Sequence, residues 1–394
     1  MSVSASVNFP APSDDGMAHS EELAKRIRSA ISAQGGIIDF ASYMQYVLYE
    51  PGYGYYTAGA TKFGGAGDFI TAPEISPLFG RSIAQQCFDV LCSIPQSVIL
   101  EVGAGSGKLA RDILLELSHL KVMPERYLII ETSADLKSKQ QELLKAALPD
   151  FYKRIYWLEQ WPKAPVSGVV VANELLDAMP VHRLRQQESR LIELGVTENG
   201  KAFGYSPMAG HTLAVERLQA KLNEAGVSLT EGTDTEICLM HDAWVASLSR
   251  CLNQGLVLLV DYGYSRKDYY HPQRVDGTLR CHYRHIAHDN PFFYPGLQDL
   301  TAHVDFTAIA ESAVDSGFDV LGYTTQAYFL LSCGITELVD MEHLDDLQRI
   351  DVAQQIRKLT MPGEMGEPFK TIALGKDLDI GLKGFSMNDQ RENL

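Results

Sequence analysis

Between Ser97 and Asn173, short apolar runs alternate with segments of helical period, and this rhythm confines the chain to an α/β fold built on a parallel sheet. The strands read SVILEVG, RYLIIE, RIYWL and SGVVVAN, and the last is hydrophobic throughout, as a strand covered on both faces should be. Helical patterns follow the first strand, up to Ser118, and the second, from Ala134 to Ala147. After Pro180 the residues alternate around LRQQESRLIELGVTENGKAFGYSP with a turn at Glu198-Asn199-Gly200, which predicts a small antiparallel insertion. Helical material from Leu213 to Leu252 leads back to a strong strand, GLVLLVDYG; later come a helix (Phe306 to Ser316), a strand (FDVLGYT), helical material to Leu359 and a last strand, FKTIALGK.

Ahead of this core, Leu23, Ile27, Ala30 and Ile31 recur at helical spacing between Ser20, a suitable N-cap, and Gly35-Gly36, a stop. Asp39 to Glu50 reads as a second helix. The expected organisation is a disordered start (1–19), a helical and glycine-rich segment closing over a ligand (20–96), and a core (97–376). That core carries insertions at 181–252 and at 264–305, the latter a His-, Tyr- and Arg-dense lid loop, and residues 377–394 form a loose tail.

With 394 residues there is room for two to three domains, and 45% hydrophobic with 21% charged residues is ordinary globular composition. No stretch nears the roughly 18 apolar residues of a membrane span, and no basic segment precedes an apolar run at the start, so a cytoplasmic address without membrane insertion is expected. A formal charge of -16 argues against broad nucleic-acid binding and leaves basic or neutral partners open. Cys87, Cys92, Cys238, Cys251, Cys281 and Cys333 lack C-x-x-C spacing and read as reduced, buried thiols. His282, His285, His288 and His303 have no acid or cysteine at ligand spacing, so no metal is expected.

The segment VILEVGAGSGKL (98–109) carries the chemistry: a buried strand feeds a glycine-rich turn that opens a helix. Gly103, Gly105 and Gly107 let the backbone turn sharply and approach a ligand without a Cβ in the way. A dinucleotide site wants G-x-G-x-x-G, but Lys108 stands at the third glycine's place; a P-loop wants a hydroxyl after Gly107-Lys108, and Leu109 stands there. S-adenosylmethionine needs close backbone contact and acids instead, which E-x-G-x-G-x-G from Glu101 through Ala104 to Gly107 can give. Glu131, at the end of the next strand, is placed to accept both ribose hydroxyls. A reversed last strand would make a seven-stranded sheet resembling class I methyltransferases, with a Rossmann-like core, an N-terminal helical segment, an antiparallel β insertion and a helical and loop cap.

Five blocks together tighten the match: GYGYYTAGATKFGGAGDFITAPEISPLFG (52–80), ILEVGAGSGKLARDIL (99–114), VVVANELLDAMPVHR (169–183), LLVDYGY (258–264) and GTLRCHYRHIAHDNPFFYPGLQDLTAHVDFTAIA (277–310). The chain resembles the MidA family over roughly Gly36 to Lys376. That resemblance implies S-adenosylmethionine-dependent methylation of protein arginine to the symmetric dimethyl product, with complex I assembly the role of the mitochondrial members. The acceptor here is expected to be an arginine-bearing protein of unknown identity. A small-molecule acceptor, a non-catalytic docking role in assembly, and a homodimer stay open.

Arginine is a poor nucleophile because guanidinium stays charged and delocalised, so carboxylates that grip it must localise its charge and take a proton. Glu174 and Asp177, just past VVVAN, suit this if a helical turn presents both to one side; Asn173 and Asp177 equally suit helix capping. Asp261 after LLV is similarly placed, and Asn173 joins the cofactor candidates. Asp68, Thr71, Glu74 and Ser76 in GDFITAPEIS form a third group, with Asp68 or Thr71 expected to touch the cofactor's methionine end. His303 and Asp305 are candidates for orienting substrate or for local hydrogen bonding.

Overall fold

All five residues of Val98–Val102 (β1) are buried, and this strand lies inside a mixed sheet assembled from the apolar runs. The other strands along its path are Tyr127–Ile130 (β2), Ile155–Leu158 (β3), Val166–Asn173 (β4), Leu252–Tyr264 (β5), Asp319–Thr325 (β6) and Phe369–Lys376 (β7). The order is β6-β7-β5-β4-β1-β2-β3, with β7 antiparallel to both neighbours and the pairs from β5 to β3 parallel. An eighth, two-residue strand, Val304–Asp305, pairs with the end of β5 off this path, so the expected count of seven falls one short.

The computed structural model describes residues 10–58, 71–200 and 202–394. The sheet belongs to one of two units, formed by Ile70–Ala178, Met240–Tyr270 and His303–Leu394. Its core joins Ile99, Val169, Val171, Leu256 and Leu258 of the sheet to Phe79, Ile83 and Cys87 of the helix Pro77–Ser93 and to Ile113 and Leu117 of the helix Lys108–His119.

The second unit comprises Met1–Phe69, Met179–Leu239 and His271–Ala302. Its five-stranded sheet includes the expected hairpin, Arg190–Asn199 against Ala202–Pro207, with Gly200 at φ +66 in the turn. Leu23, Ile27 and Ile31, one helical turn apart, are buried with Phe40, Tyr43, Met44 and Val47. The first helix runs Asp14–Ala33 and is capped by Ser13, whose side chain accepts from the Gly16 N–H, so it starts well inside the stretch expected to be disordered. Residues 264–305 are not a bare loop either. Arg280–Tyr283 pairs with Ile286–His288 and Asp299–Thr301, and its alternation of buried Cys281 and Tyr283 with half-buried His282 was masked by polar side chains on the outer face.

The tail is packed, not loose. Phe385 is buried against Gly322 and meets Phe329 edge-on at 5.6 Å. Further on, the Gln390 N–H donates to the Tyr323 carbonyl (2.6 Å) and Arg391 to the Val320 carbonyl (3.0 Å), covering the free edge of β6. Phe385→Ala is therefore expected to destabilise this unit by about 3 kcal/mol or more. Chemical denaturation would show it; an unshifted midpoint would mean the residues after Asp377 contribute nothing. Cys92 is exposed and Cys238 half-buried, while the other four thiols are buried as expected.

Candidate active site at the carboxyl ends of the parallel strands

Three strands end side by side where open α/β sheets hold ligands, β1 at Val102, β2 at Ile130 and β4 at Asn173. The turn after β1 uses its glycines as expected: Gly103, Gly105 and Gly107 have φ of +75, +51 and +83. A Cβ on Gly107 would lie 3.1 Å from Gln140 Cγ, so this backbone lies hard against the helix Ala134–Ala147. Ala104 between them is buried.

Glu131 directly follows β2. Its Oε1 accepts from the Ser133 N–H (2.8 Å) and its Oε2 from Gln140 Nε2 (3.0 Å). Gln140 also donates to the Gly105 carbonyl (2.9 Å), which ties the turn and the acid to one amide. Sequence reasoning passed over Gln140, although its position four residues before Leu144, on the buried stripe of its helix, was a readable signal.

Glu101 is sealed in the sheet, with its carboxylate accepting from the Tyr127 hydroxyl (2.7 Å). Burial pushes its pKa up from the ordinary 4.5 to about 7, the Tyr127 hydrogen bond opposing and the charge of Glu131 adding to the rise. Between those values the folded chain keeps a proton that the unfolded chain has lost. Its contribution to stability is thus complete below the unfolded value and is lost as pH rises through about 7. Glu101→Gln should flatten the fall of the melting temperature over that interval; parallel curves for the two proteins would contradict the assignment.

The expected helical turn after β4 does not form. Glu174 instead takes a left-handed backbone, φ +50, and its N–H donates to the Val260 carbonyl (2.9 Å). For a residue with a Cβ this conformation carries a cost, and such residues concentrate at functional sites. Glu174 Oε1 accepts from Asn173 Nδ2 (3.1 Å) and from the Ala72 N–H (3.4 Å). Among the described residues Asn173 Oδ1 is buried with no hydrogen-bond partner, an acceptor at the strand end that a bound ligand can satisfy.

Asp177 is 4% exposed and therefore much less accessible than the half-buried Glu174. Asp261 departs further from the catalytic expectation. It is 1% exposed; Oδ2 accepts from the N–H groups of Leu175 (3.0 Å), Leu176 (2.8 Å) and Asp177 (3.3 Å), and Oδ1 from that of Tyr262 (2.8 Å). Its carboxylate clamps the loop that carries Glu174.

The short helix Ala72–Ile75 crosses the same region. Glu74 accepts from the Ser106 hydroxyl and pairs with Lys108, both at 2.5 Å, so the helix is tied to the glycine turn, as Ala72 ties it to Glu174. Thr71 is its N-cap and makes no side-chain capping bond. Asp68 lies outside the described residues. Asp305 caps the helix Phe306–Asp315 and pairs with Arg266, while His303 stacks on Tyr264 at 5.2 Å. Among the described residues no group of three or more His, Cys, Asp or Glu could hold a metal ion, and no helix is long and apolar enough to cross a membrane.

A glycine turn without a pyrophosphate or P-loop pattern, with an acid just past the next strand and an amide oxygen unpartnered among the described residues at the end of the neighbouring one, fits an S-adenosyl compound, and comparison with known proteins defines the class. Residues 82–324 match the family described as "Putative S-adenosyl-L-methionine-dependent methyltransferase". The chain belongs to that family and is an S-adenosylmethionine-dependent methyltransferase.

A protein from Burkholderia thailandensis, solved with S-adenosyl-homocysteine bound, is 42% identical, with TM-score 0.92 over 98% of this chain and 100% of that one. A native structure from the same organism is 40% identical, with TM-score 0.89 over the same shares. Among curated proteins, "Protein arginine methyltransferase NDUFAF7, mitochondrial" of Danio rerio is 28% identical over 89% of this chain and 86% of its own length. The human protein of that name is also 28% identical, over 86% of this chain and 80% of its own length. These relatives agree with the MidA resemblance. They overturn the expected cytoplasmic address, because they are named as mitochondrial proteins.

Proposed function

We propose that the enzyme methylates arginine side chains of a protein, on a class I methyltransferase platform formed by the path β6-β7-β5-β4-β1-β2-β3. The observation that carries this reading is Glu174, a carboxylate held in a left-handed backbone at the end of β4, beside the strand ends that flank the glycine turn. The arginine methyltransferase names of the curated relatives support the choice of acceptor.

Bound S-adenosylmethionine supplies an electrophilic methyl group on sulfonium. Glu131 accepts the ribose hydroxyls, the turn Gly103–Gly107 gives close backbone contact, with Ala104 and Asn173 lining it, and buried Glu101 supports the turn from inside the sheet. Thr71, at the head of the helix tied down by Glu74, reaches toward the methionine end. Glu174 accepts hydrogen bonds from the acceptor guanidinium, concentrates positive charge on the nitrogen it grips, frees another to attack, and receives the proton released. Asp177 assists from deeper in the loop, and Asp261 holds that loop through the backbone N–H groups of Leu175, Leu176 and Asp177. Alignment and charge management suffice for an in-line displacement.

The test is incubation of the enzyme with methyl-labelled cofactor and lysate from a strain lacking it, followed by mass spectrometry. Methylated arginine in a protein is the expected result, with symmetric dimethylation implied by the family resemblance. Label confined to small molecules, or to another residue type, would overturn the reading.

A further inference from the structure

We infer that Gln140 is a positioning residue that sets how strongly the enzyme recognises the ribose of its cofactor. This rests on the proposed role of Glu131 as the ribose-binding acid.

Gln140 is fully buried in the middle of the helix Ala134–Ala147, where a glutamine amide is costly unless each of its groups is paired. It is paired at three points. Nε2 donates to the Gly105 carbonyl (2.9 Å) and to Glu131 Oε2 (3.0 Å), while Oε1 accepts from the indole Nε1–H of Trp157 (2.9 Å). The partners fix the orientation of the amide: an indole N–H can only donate, and a carbonyl and a carboxylate can only accept. With Trp157 holding one end, both hydrogens of the other are aimed at the glycine turn and the acid. The Gln140 stem also abuts Gly107, at 3.1 Å from where a Cβ would lie.

One side chain therefore fixes the distance between the turn that approaches the cofactor and the carboxylate that reads its ribose. The Ser133 N–H holds the other oxygen, Oε1, so the two donors together fix the plane of the Glu131 carboxylate. Only one of those donors is backbone. Losing Gln140 removes its donor from both the Glu131 carboxylate and the Gly105 carbonyl, while Glu131 and the glycines themselves remain.

The consequence is specific to ribose. Adenosine and 2′,3′-dideoxyadenosine, used as competitors against labelled S-adenosylhomocysteine, differ only in the hydroxyls that Glu131 accepts. The unsubstituted protein should prefer adenosine strongly. Gln140→Leu, which keeps the bulk against Gly107, should lower that preference about tenfold, the effect of one charge-assisted hydrogen bond, and raise KM for the cofactor more than it lowers kcat. Gln140→Glu, with two carboxylates facing each other, should lose as much at alkaline pH and recover part of it in mild acid, where a protonated carboxyl can donate again.

Glu131→Gln is the control. If it lowers the preference while Gln140→Leu leaves it intact, the inference about Gln140 fails and Glu131 keeps its role. If Glu131→Gln itself leaves the preference intact, the ribose assignment beneath it fails. A Gln140→Leu protein that binds both competitors equally more weakly, with their ratio unchanged, would reduce Gln140 to packing and also overturn the inference.

Discussion

Glu174→Gln is expected to bind S-adenosylhomocysteine with unchanged affinity while methyl transfer falls about a hundredfold or more, the usual contribution of a positioned general base. The substitution keeps the shape of the side chain and an oxygen to accept from Asn173 Nδ2 and the Ala72 N–H, so the left-handed loop should persist. What disappears is the charge that grips guanidinium and the site that takes its proton. Calorimetry gives the binding constant and single-turnover kinetics the chemical step. Equal single-turnover rates would leave Glu174 a structural role, as in its contacts with Asn173 and Ala72.

Gly105→Val should weaken cofactor binding by more than a hundredfold. The residue sits at φ +51, where a β-branched side chain is a true outlier, and the strain falls on the same carbonyl that Gln140 holds. Left-handed strain costs about 1–3 kcal/mol at a non-glycine residue, and on the turn proposed to line the cofactor a branched Cβ would add steric exclusion. Binding measured by calorimetry, alongside a melting curve to show that the variant folds, decides the matter. A dissociation constant equal to that of the unsubstituted protein would remove Gly105 from the site.

Sequence reasoning succeeded where one local rule decides the outcome. The run of Val169 to Ala172 reads as a doubly covered strand and is one, and the glycines at 103, 105 and 107 read as a sharp turn and form it with positive φ. It failed where a partner distant in sequence overrides the local pattern. Asp261 looked like a catalytic acid at a strand end, but the N–H groups of residues 175–177, more than 80 positions away, claim one of its oxygens. Glu174 and Asp177 share helical spacing, yet the hydrogen bond from the Glu174 N–H to Val260 holds the backbone out of a helix. The tail after Asp377 has little periodicity of its own and is ordered by the edge strand it covers. Gln140 was missed for a related reason: its three partners, Gly105, Glu131 and Trp157, come from three separate βα connections and strands that only the sheet brings together.

The most direct test of the central claim is a crystal structure of this protein grown with S-adenosylhomocysteine. The account predicts the ligand along the backbone of Gly103 to Gly107, with its ribose hydroxyls on the Glu131 carboxylate. A ligand bound elsewhere, or a ribose out of reach of Glu131, would contradict it.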